Sequence, residues 1–159
     1  MSLYVEVGSL QGQANALIYL GAVQQQTAEY GGAADIMEEA LSICRTLGDP
    51  VGEAESLNQL GSLHLACGEM REAQACHRAA FNIARKVGYP REEAMALAGL
   101  ARCALSDGRA ADAEAGLRQA REIFLQIGDF EAASLAAELA DPSLSPAFSS
   151  GSGSRTRPT

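Results

Sequence analysis

Apolar and small residues recur along the chain with a period of 40 positions. Gly48, Gly88 and Gly128 are in register, and Gly8 holds the same phase one period earlier. Leu17, Leu57 and Leu97 repeat the spacing, as do Leu20, Leu60 and Leu100. So do Ala33, Ala73 and Ala113; Ala40, Ala80 and Ala120; and Ile43, Ile83 and Ile123. This many columns in one register define an internal repeat. A repeat of this size implies units that bury their apolar faces on one another.

Each period reads as two helices. Between Gly48 and Gly88 the first apolar stripe is Ala54, Leu57, Leu60, Gly61 and His64, the i, i+3, i+4, i+7 spacing of one helical face. Cys67-Gly68-Glu69 interrupts it, and Gly68 can take the left-handed conformation that ends a helix. The second stripe is Met70, Ala73, His77, Ala80, Ile83, Ala84 and Val87. Asp49-Pro50 and Tyr89-Pro90 restart the pattern, because Asp is a good N-cap and proline is tolerated in a first turn. In the third repeat the inner turn is Ser106-Asp107-Gly108. The register predicts seven helices over residues 9–140, with close backbone approach at Gly21, Gly61, Ala73 and Ala113.

The motif Leu57-x-x-Leu60-Gly61-x-x-His64, then Gly68, Ala73, His77 and Ala80, resembles the tetratricopeptide repeat. A further copy reads Leu97-x-x-Leu100-Ala101, Gly108, Ala113, Leu117, Ala120. The usual period is about 34 residues, so these units resemble the long-helix subclass of that family. His64, His77, Met37 and Leu117 stand where the family places bulky aromatics. The resemblance implies an all-α fold, a right-handed α-solenoid of helical hairpins with a C-terminal capping helix, and a protein-binding function without catalysis.

The ends keep the register. Leu3 matches Ile43 and Val7-Gly8 matches Leu47-Gly48, so residues 1–8 have the phase of a preceding second helix, and the parent gene is expected to encode its partner upstream. Repeats then cover 9–48, 49–88 and 89–128. Residues 129–140 supply a lid helix with Phe130, Leu135 and Leu139 as its apolar contacts. Residues 141–159 are rich in Ser and Pro without apolar period, which predicts a disordered tail.

Composition narrows the function. The chain has 159 residues, 47% hydrophobic and 5% aromatic, without Trp, so its core rests on Ala and Leu, which suit closely spaced helices. Twelve basic against 20 acidic residues leave a net charge of -8, which argues against nucleic acid and against anionic membrane surfaces. No apolar run approaches the roughly 18 residues of a membrane span, and the start carries no secretory pattern, so a cytoplasmic location is expected.

Chemistry-bearing residues are few. Cys44 and Cys103 fall in core columns, while Cys67 lies near a turn; no CxxC pair occurs. His64, Cys67, Cys76 and His77 are the one group with a metal-like composition, and a small metal or redox-responsive protein using them is the competing class. Both histidines are equally explained as packing residues. Adjacent Cys76 and His77 also diverge by about 100° around a helix. No nucleophile triad, phosphate loop or paired-acid site is indicated, the pairs Glu38-Glu39 and Glu92-Glu93 reading as solvated faces. No cofactor is expected.

The resemblance places the binding face on the first helix of each hairpin, opposite its Leu–Leu–Gly stripe. That face presents Asn15, Ile18, Ala22 and Gln25; then Glu55, Asn58, Ser62 and Leu65; then Met95, Ala98, Arg102 and Leu105. Amides there suit a peptide backbone and the apolar side chains suit its anchors, with Asn58 the leading candidate. Arg102 is the one cation in the set, so an acidic C-terminal peptide is not the natural ligand. The Leu47-Gly48-Asp49 and Ile127-Gly128-Asp129 junctions, with one lysine to eleven arginines, resemble the C-terminal repeats of large actinobacterial transcriptional regulators of the signal-transducing ATPase and antibiotic-regulatory classes. A free-standing scaffold is the alternative within the same fold.

Overall fold

The computed structural model describes residues 3–27 and 30–144. Seven α-helices follow one another among them: α1 Leu3–Gln26, α2 Tyr30–Leu47, α3 Pro50–Cys67, α4 Met70–Val87, α5 Pro90–Ser106, α6 Ala110–Ile127 and α7 Glu131–Leu139. A 3-10 turn, Pro142–Leu144, closes the described chain. Helices pair as hairpins α1/α2, α3/α4 and α5/α6, and each hairpin stacks on the next through α2/α3 and α4/α5. The odd-numbered helices also touch in succession, α1 on α3 and α3 on α5, which makes them one continuous layer. The result is an all-α solenoid of stacked helical hairpins.

The helix ends come from a motif that recurs every 20 residues. Gly48, Gly68, Gly88, Gly108 and Gly128 all lie at φ between +65° and +80°, where a side chain would be strained. The residue after each glycine donates its amide five residues back: Asp49 to Cys44, Glu69 to His64, Tyr89 to Ala84, Arg109 to Ala104 and Asp129 to Phe124. This is the Schellman arrangement, and it satisfies carbonyls that the helix leaves bare. Asp49 then starts α3, its Oδ1 accepting from the amides of Val51 and Gly52 at 3.1 and 3.0 Å. Pro50 follows in the first turn, where no amide is needed.

Residue 8 breaks this rule. Gly8 has the junction phase, yet it lies inside α1, which runs unbroken from Leu3. The expected separate fragment at residues 1–8 is therefore corrected over residues 3–8; Met1 and Ser2 lie outside the described residues. The reason is local: Ser9-Leu10 replaces the Asp-Pro or Tyr-Pro pair that restarts the later repeats, so the backbone ladder continues. At the other end, α7 buries Ala132 and Leu135, while Phe130 is 75% exposed and is not the lid contact its position suggested. Phe130 precedes the first turn of α7 and so falls outside the face that meets α6. Leu144 is buried against the same cluster through the 3-10 turn, so Asp141–Leu144 is structured, contrary to expectation. Residues 145–159 of the expected tail lie outside the described residues.

Large side chains from the second helices fill notches in the first. Met37 reaches to 2.8 Å from where a Cβ on Gly21 would stand. The His77 ring does the same at Gly61, at 2.7 Å, and also occupies the space beside Gly99 in α5. In the third hairpin Leu117 takes that column and Ala101 replaces the glycine. Close approach at Gly21 and Gly61 was legible from the repeat; Gly99 was not. Gly99→Ala is expected to cost about 1–3 kcal/mol, because its methyl would overlap His77 from the flank of an otherwise filled interface. Gly31→Ala in α2, with nothing within 4 Å, should be neutral or stabilising by up to about 1 kcal/mol. Urea unfolding of the two variants measures both.

Candidate functional site

The odd-numbered layer carries most of the expected binding residues. Ala22 and Gln25 of α1 and Gln59 and Ser62 of α3 line one hollow of about 360 Å³, so the structure brings Gln25 and Ser62 together. The Ser62 hydroxyl donates to the Asn58 carbonyl at 3.0 Å, which leaves its oxygen free to accept. Asn15 is exposed on the same helix, its Oδ1 3.4 Å from Gln11 Nε2. Farther along, Leu65 is half-buried, and Met95 and Leu105 are partly buried against the last apolar cluster. Glu55 is half-buried, and its carboxyl pKa is raised by burial first and by the Glu92 carboxylate second.

Three residues expected on the groove face are not available: Ile18, Asn58 and Ala98, the last 2% exposed within the core of the third hairpin. Ile18 is 3% exposed and packs with Ala14, Ala40 and Cys44 in the first hairpin's core. Asn58 is 2% exposed, and its amide is fully engaged. Its Nδ2 donates to the Glu92 carbonyl at 3.1 Å and to the Glu92 carboxylate at 2.9 Å, and its Oδ1 accepts from His77 Nδ1 at 3.2 Å. Asn58 thus fastens α3 to α5 and α4; it does not face a ligand. Glu92, expected on a solvated face, is likewise 2% exposed and bonds Arg91 at 2.8 Å. Arg102 remains half-exposed, but both its Nε and its Nη2 meet the Glu138 carboxylate of α7, at 2.9 and 2.8 Å. Its charge is spent on holding the lid helix.

The His77 ring is the centre of this arrangement. Burial, followed by the nearby Arg102 charge, pushes its pKa down to about 4. It is therefore neutral near pH 7, and the Asn58 contact assigns its proton to Nδ1, since Nδ2 of Asn58 is the end that donates to Glu92. Nε2 lies bare between Gly61 and Gly99, with no hydrogen-bond partner. Arg91 completes the network: burial lowers its pKa, but Glu92, Asp129 and Glu55 outweigh this and hold it above the ordinary value.

Polar ties also follow the repeat. Gln11 donates to Asp49 Oδ2 at 2.9 Å, and Arg91 donates to Asp129 Oδ2 at 3.2 Å; each joins a first helix to the Asp that opens the next unit. Arg45–Glu53 and Arg85–Glu93 form a second such pair, one period apart. The first ties were invisible in sequence because Gln11 and Arg91 share a column but not a residue type.

The candidate metal group is split. His64 and Cys76 line one hollow with Glu38, Leu41, Arg45 and Leu57, whereas His77 points away into the α3–α5 interface and Cys67 is exposed at the turn. His64 Nδ1 is already paired with Glu69. Burial raises the Cys76 thiol pKa, against which Arg45 acts, so the thiolate that metal binding or redox chemistry needs is disfavoured. Among the described residues no group of three or more His, Cys, Asp or Glu is placed to hold a metal ion.

With two stacked hairpins, a small-residue notch per first helix and a bulky residue per second, residues 52–126 match the family model described as Tetratricopeptide repeat. This stretch is similar to the tetratricopeptide repeat. The match runs from α3 through α6, and the 40-residue register extends the same hairpin to α1/α2. No curated protein matches the chain significantly. Tetratricopeptide repeats generally mediate protein–protein interaction and are typically non-catalytic. No helix among the described residues is long and apolar enough to cross a membrane.

His77 makes acid stability predictable. Its folded pKa of about 4 lies below the ordinary 6.5, so its contribution is complete above pH 6.5. As pH falls from there toward 4, the unfolded chain takes up a proton that the folded one excludes. Stability should fall by about 2–3 kcal/mol across that window from this group. His77→Met, which copies Met37 of the first repeat, should remove that part of the slope. Urea unfolding at pH 7 and pH 4.5 for both proteins gives the comparison.

Proposed function

We propose that the chain is a non-catalytic protein-interaction module that takes a peptide or helix along the layer formed by α1, α3 and α5. The observation that carries this reading is the hollow between Ala22, Gln25, Gln59 and Ser62, where amides and a hydroxyl surround a gap between successive first helices. Gln25, Gln59 and Ser62 supply donors and acceptors for a bound backbone, and Leu65, Met95 and Leu105 supply apolar contact farther along. Asn15 and Glu55 extend the polar part of the face. With Asn58 engaged internally and Arg102 neutralised by Glu138, the groove carries no free cation for a terminal carboxylate. The half-buried Glu55 carboxylate and the net charge of -8 favour a partner with positive charge and apolar anchors. The Leu-Gly-Asp and Ile-Gly-Asp junctions and the arginine-rich composition support placing such a module in the regulatory part of a larger bacterial transcriptional regulator, acting in the cytoplasm.

A peptide selected from a random display library against the intact chain provides the probe. Gln25→Ala combined with Ser62→Ala should weaken its binding by about tenfold, at a loss of about 0.5–1.5 kcal/mol per hydrogen bond. Glu72→Ala, exposed on α4, should leave affinity unchanged. Raising salt should slow association, since screening shortens to about 8 Å near physiological ionic strength. Titration calorimetry reads the first two effects; equal affinity for both variants would move the binding surface away from the odd-numbered layer.

A further inference from the structure

The two junctions between hairpins are built differently. At the second, the His77 ring of α4 fills the notch at Gly61 in its own hairpin and reaches past it to Gly99 of α5. Asn58, in the middle of α3, bonds both the main-chain carbonyl and the carboxylate of Glu92. These contacts key the second hairpin to the third halfway along their helices. One period earlier the same positions hold Met37, Gly21, Gln59, Ile18 and Gly52. Gln59 carries a side chain where Gly99 leaves a notch, so no wedge from α2 enters α3 as His77 enters α5. Ile18 and Gly52 have no side-chain polar groups to repeat the Asn58–Glu92 bond. Met37 and Leu41 of α2 instead meet Leu57, Leu60 and Leu63 of α3 in one apolar cluster, and apolar contact is non-directional.

Among the described residues, the polar ties between the first two hairpins gather at the Gly48 end. Gln11 meets Asp49 at 2.9 Å, Arg45 meets Glu53 at 2.8 Å, and Cys44 meets Ser56. Cys44 also stands 2.7 Å from where a Cβ on Gly52 would lie, so the helices touch closely there. Beyond these ties the junction has a hollow on each face. The inner one, at Ala22, Gln25, Gln59 and Ser62, holds about 360 Å³. The outer one, over Leu41, Leu57 and Leu60, holds about 520 Å³. Its counterpart one period on, over Leu97 and Leu100, holds about 180 Å³. A junction fixed at one end, with non-directional packing and free space beside it, can swing as a hinge. We propose that the solenoid is two rigid bodies, residues 3–47 and 50–144, which swing about Gly48-Asp49. The second junction, keyed by His77 and Asn58, holds still. Gln25 belongs to one body and Gln59 and Ser62 to the other, so the swing sets the width of the inner hollow. A peptide bound there bridges both bodies and narrows the swing, a consequence that rests on the binding site proposed above.

Dipolar EPR of nitroxide pairs tests the hinge, in a full chain carrying Cys67→Ser and Cys76→Ala so that only buried thiols remain. Asp35→Cys with Ala75→Cys spans the first junction, and Ala75→Cys with Ala115→Cys spans the second. The three sites are exposed and share one column, each about 20 Å along its helix from the junction glycine. The first pair should give a distance distribution about twice as broad as the second. Asn58→Ile with His77→Met copies the first junction and should broaden the second pair toward the first. Should that variant fail to fold, the comparison of the two pairs in the parent decides alone. Equal widths in the parent, a broader second pair, or a folded variant whose second pair stays narrow overturns the hinge. So does fast hydrogen exchange within α1 and α2, which would make the spread local unfolding and not rigid-body motion. Adding the display-selected peptide should narrow the first pair. A bound peptide that leaves that width unchanged overturns the inner hollow as its site, while the hinge of the free chain stands.

Discussion

His77 stands where three helices meet, and most of the middle of the solenoid is arranged around it. Its ring occupies the notch at Gly61 in its own hairpin and the notch at Gly99 in the next. A Cβ at either glycine would force the ring out, and with it the spacing of α3, α4 and α5. Interiors are close-packed, so one displaced ring is felt by all three helices. Met37 at Gly21 and Leu117 beside the Ala101 column repeat the device with apolar groups. The histidine version adds direction: its Nδ1 must find Asn58, and Asn58 must find Glu92.

That chain of hydrogen bonds decides what the inner face can offer. A buried carboxylate is costly unless it is paired and hydrogen-bonded, and Glu92 has both Arg91 and Asn58. Arg91 in turn holds Asp129, the residue that opens the lid segment. Arg102 holds the lid from the other side through Glu138. Side chains that a first-helix face would present to a ligand are therefore used to lock successive units together in the middle and C-terminal part of the stack. The open polar surface shifts toward the α1–α3 end, around Gln25 and Ser62.

A stacked array must also deal with its two ends. At the C-terminal end Leu135 of α7 and Leu144 of the 3-10 turn close the last cluster with Leu117 and Phe124. The N-terminal end has no such cover among the described residues, and Tyr19, Leu20 and Val23 stand in water.

The sequence by itself determined the architecture. A 40-residue register, glycines at the ends of α2 to α6 and helical stripes of Ala and Leu leave little choice but stacked hairpins, because these signals are local or repeat within the chain. The positive-φ glycines every 20 residues, the Asp49-Pro50 start and the burial of Cys44 and Cys103 were all readable for that reason. Gly8 keeps the junction phase but has Ser9-Leu10 after it in place of the Asp-Pro restart, so α1 runs through it. The roles of individual polar residues were decided only in three dimensions. Asn58 was read from its helix face, yet its partners Glu92 and His77 lie 34 and 19 residues away. Helical periodicity tells which way a side chain points from its own axis. Whether solvent or another helix stands there depends on how tightly the neighbouring hairpin approaches, and that is set by Gly61, Gly99 and the ring between them.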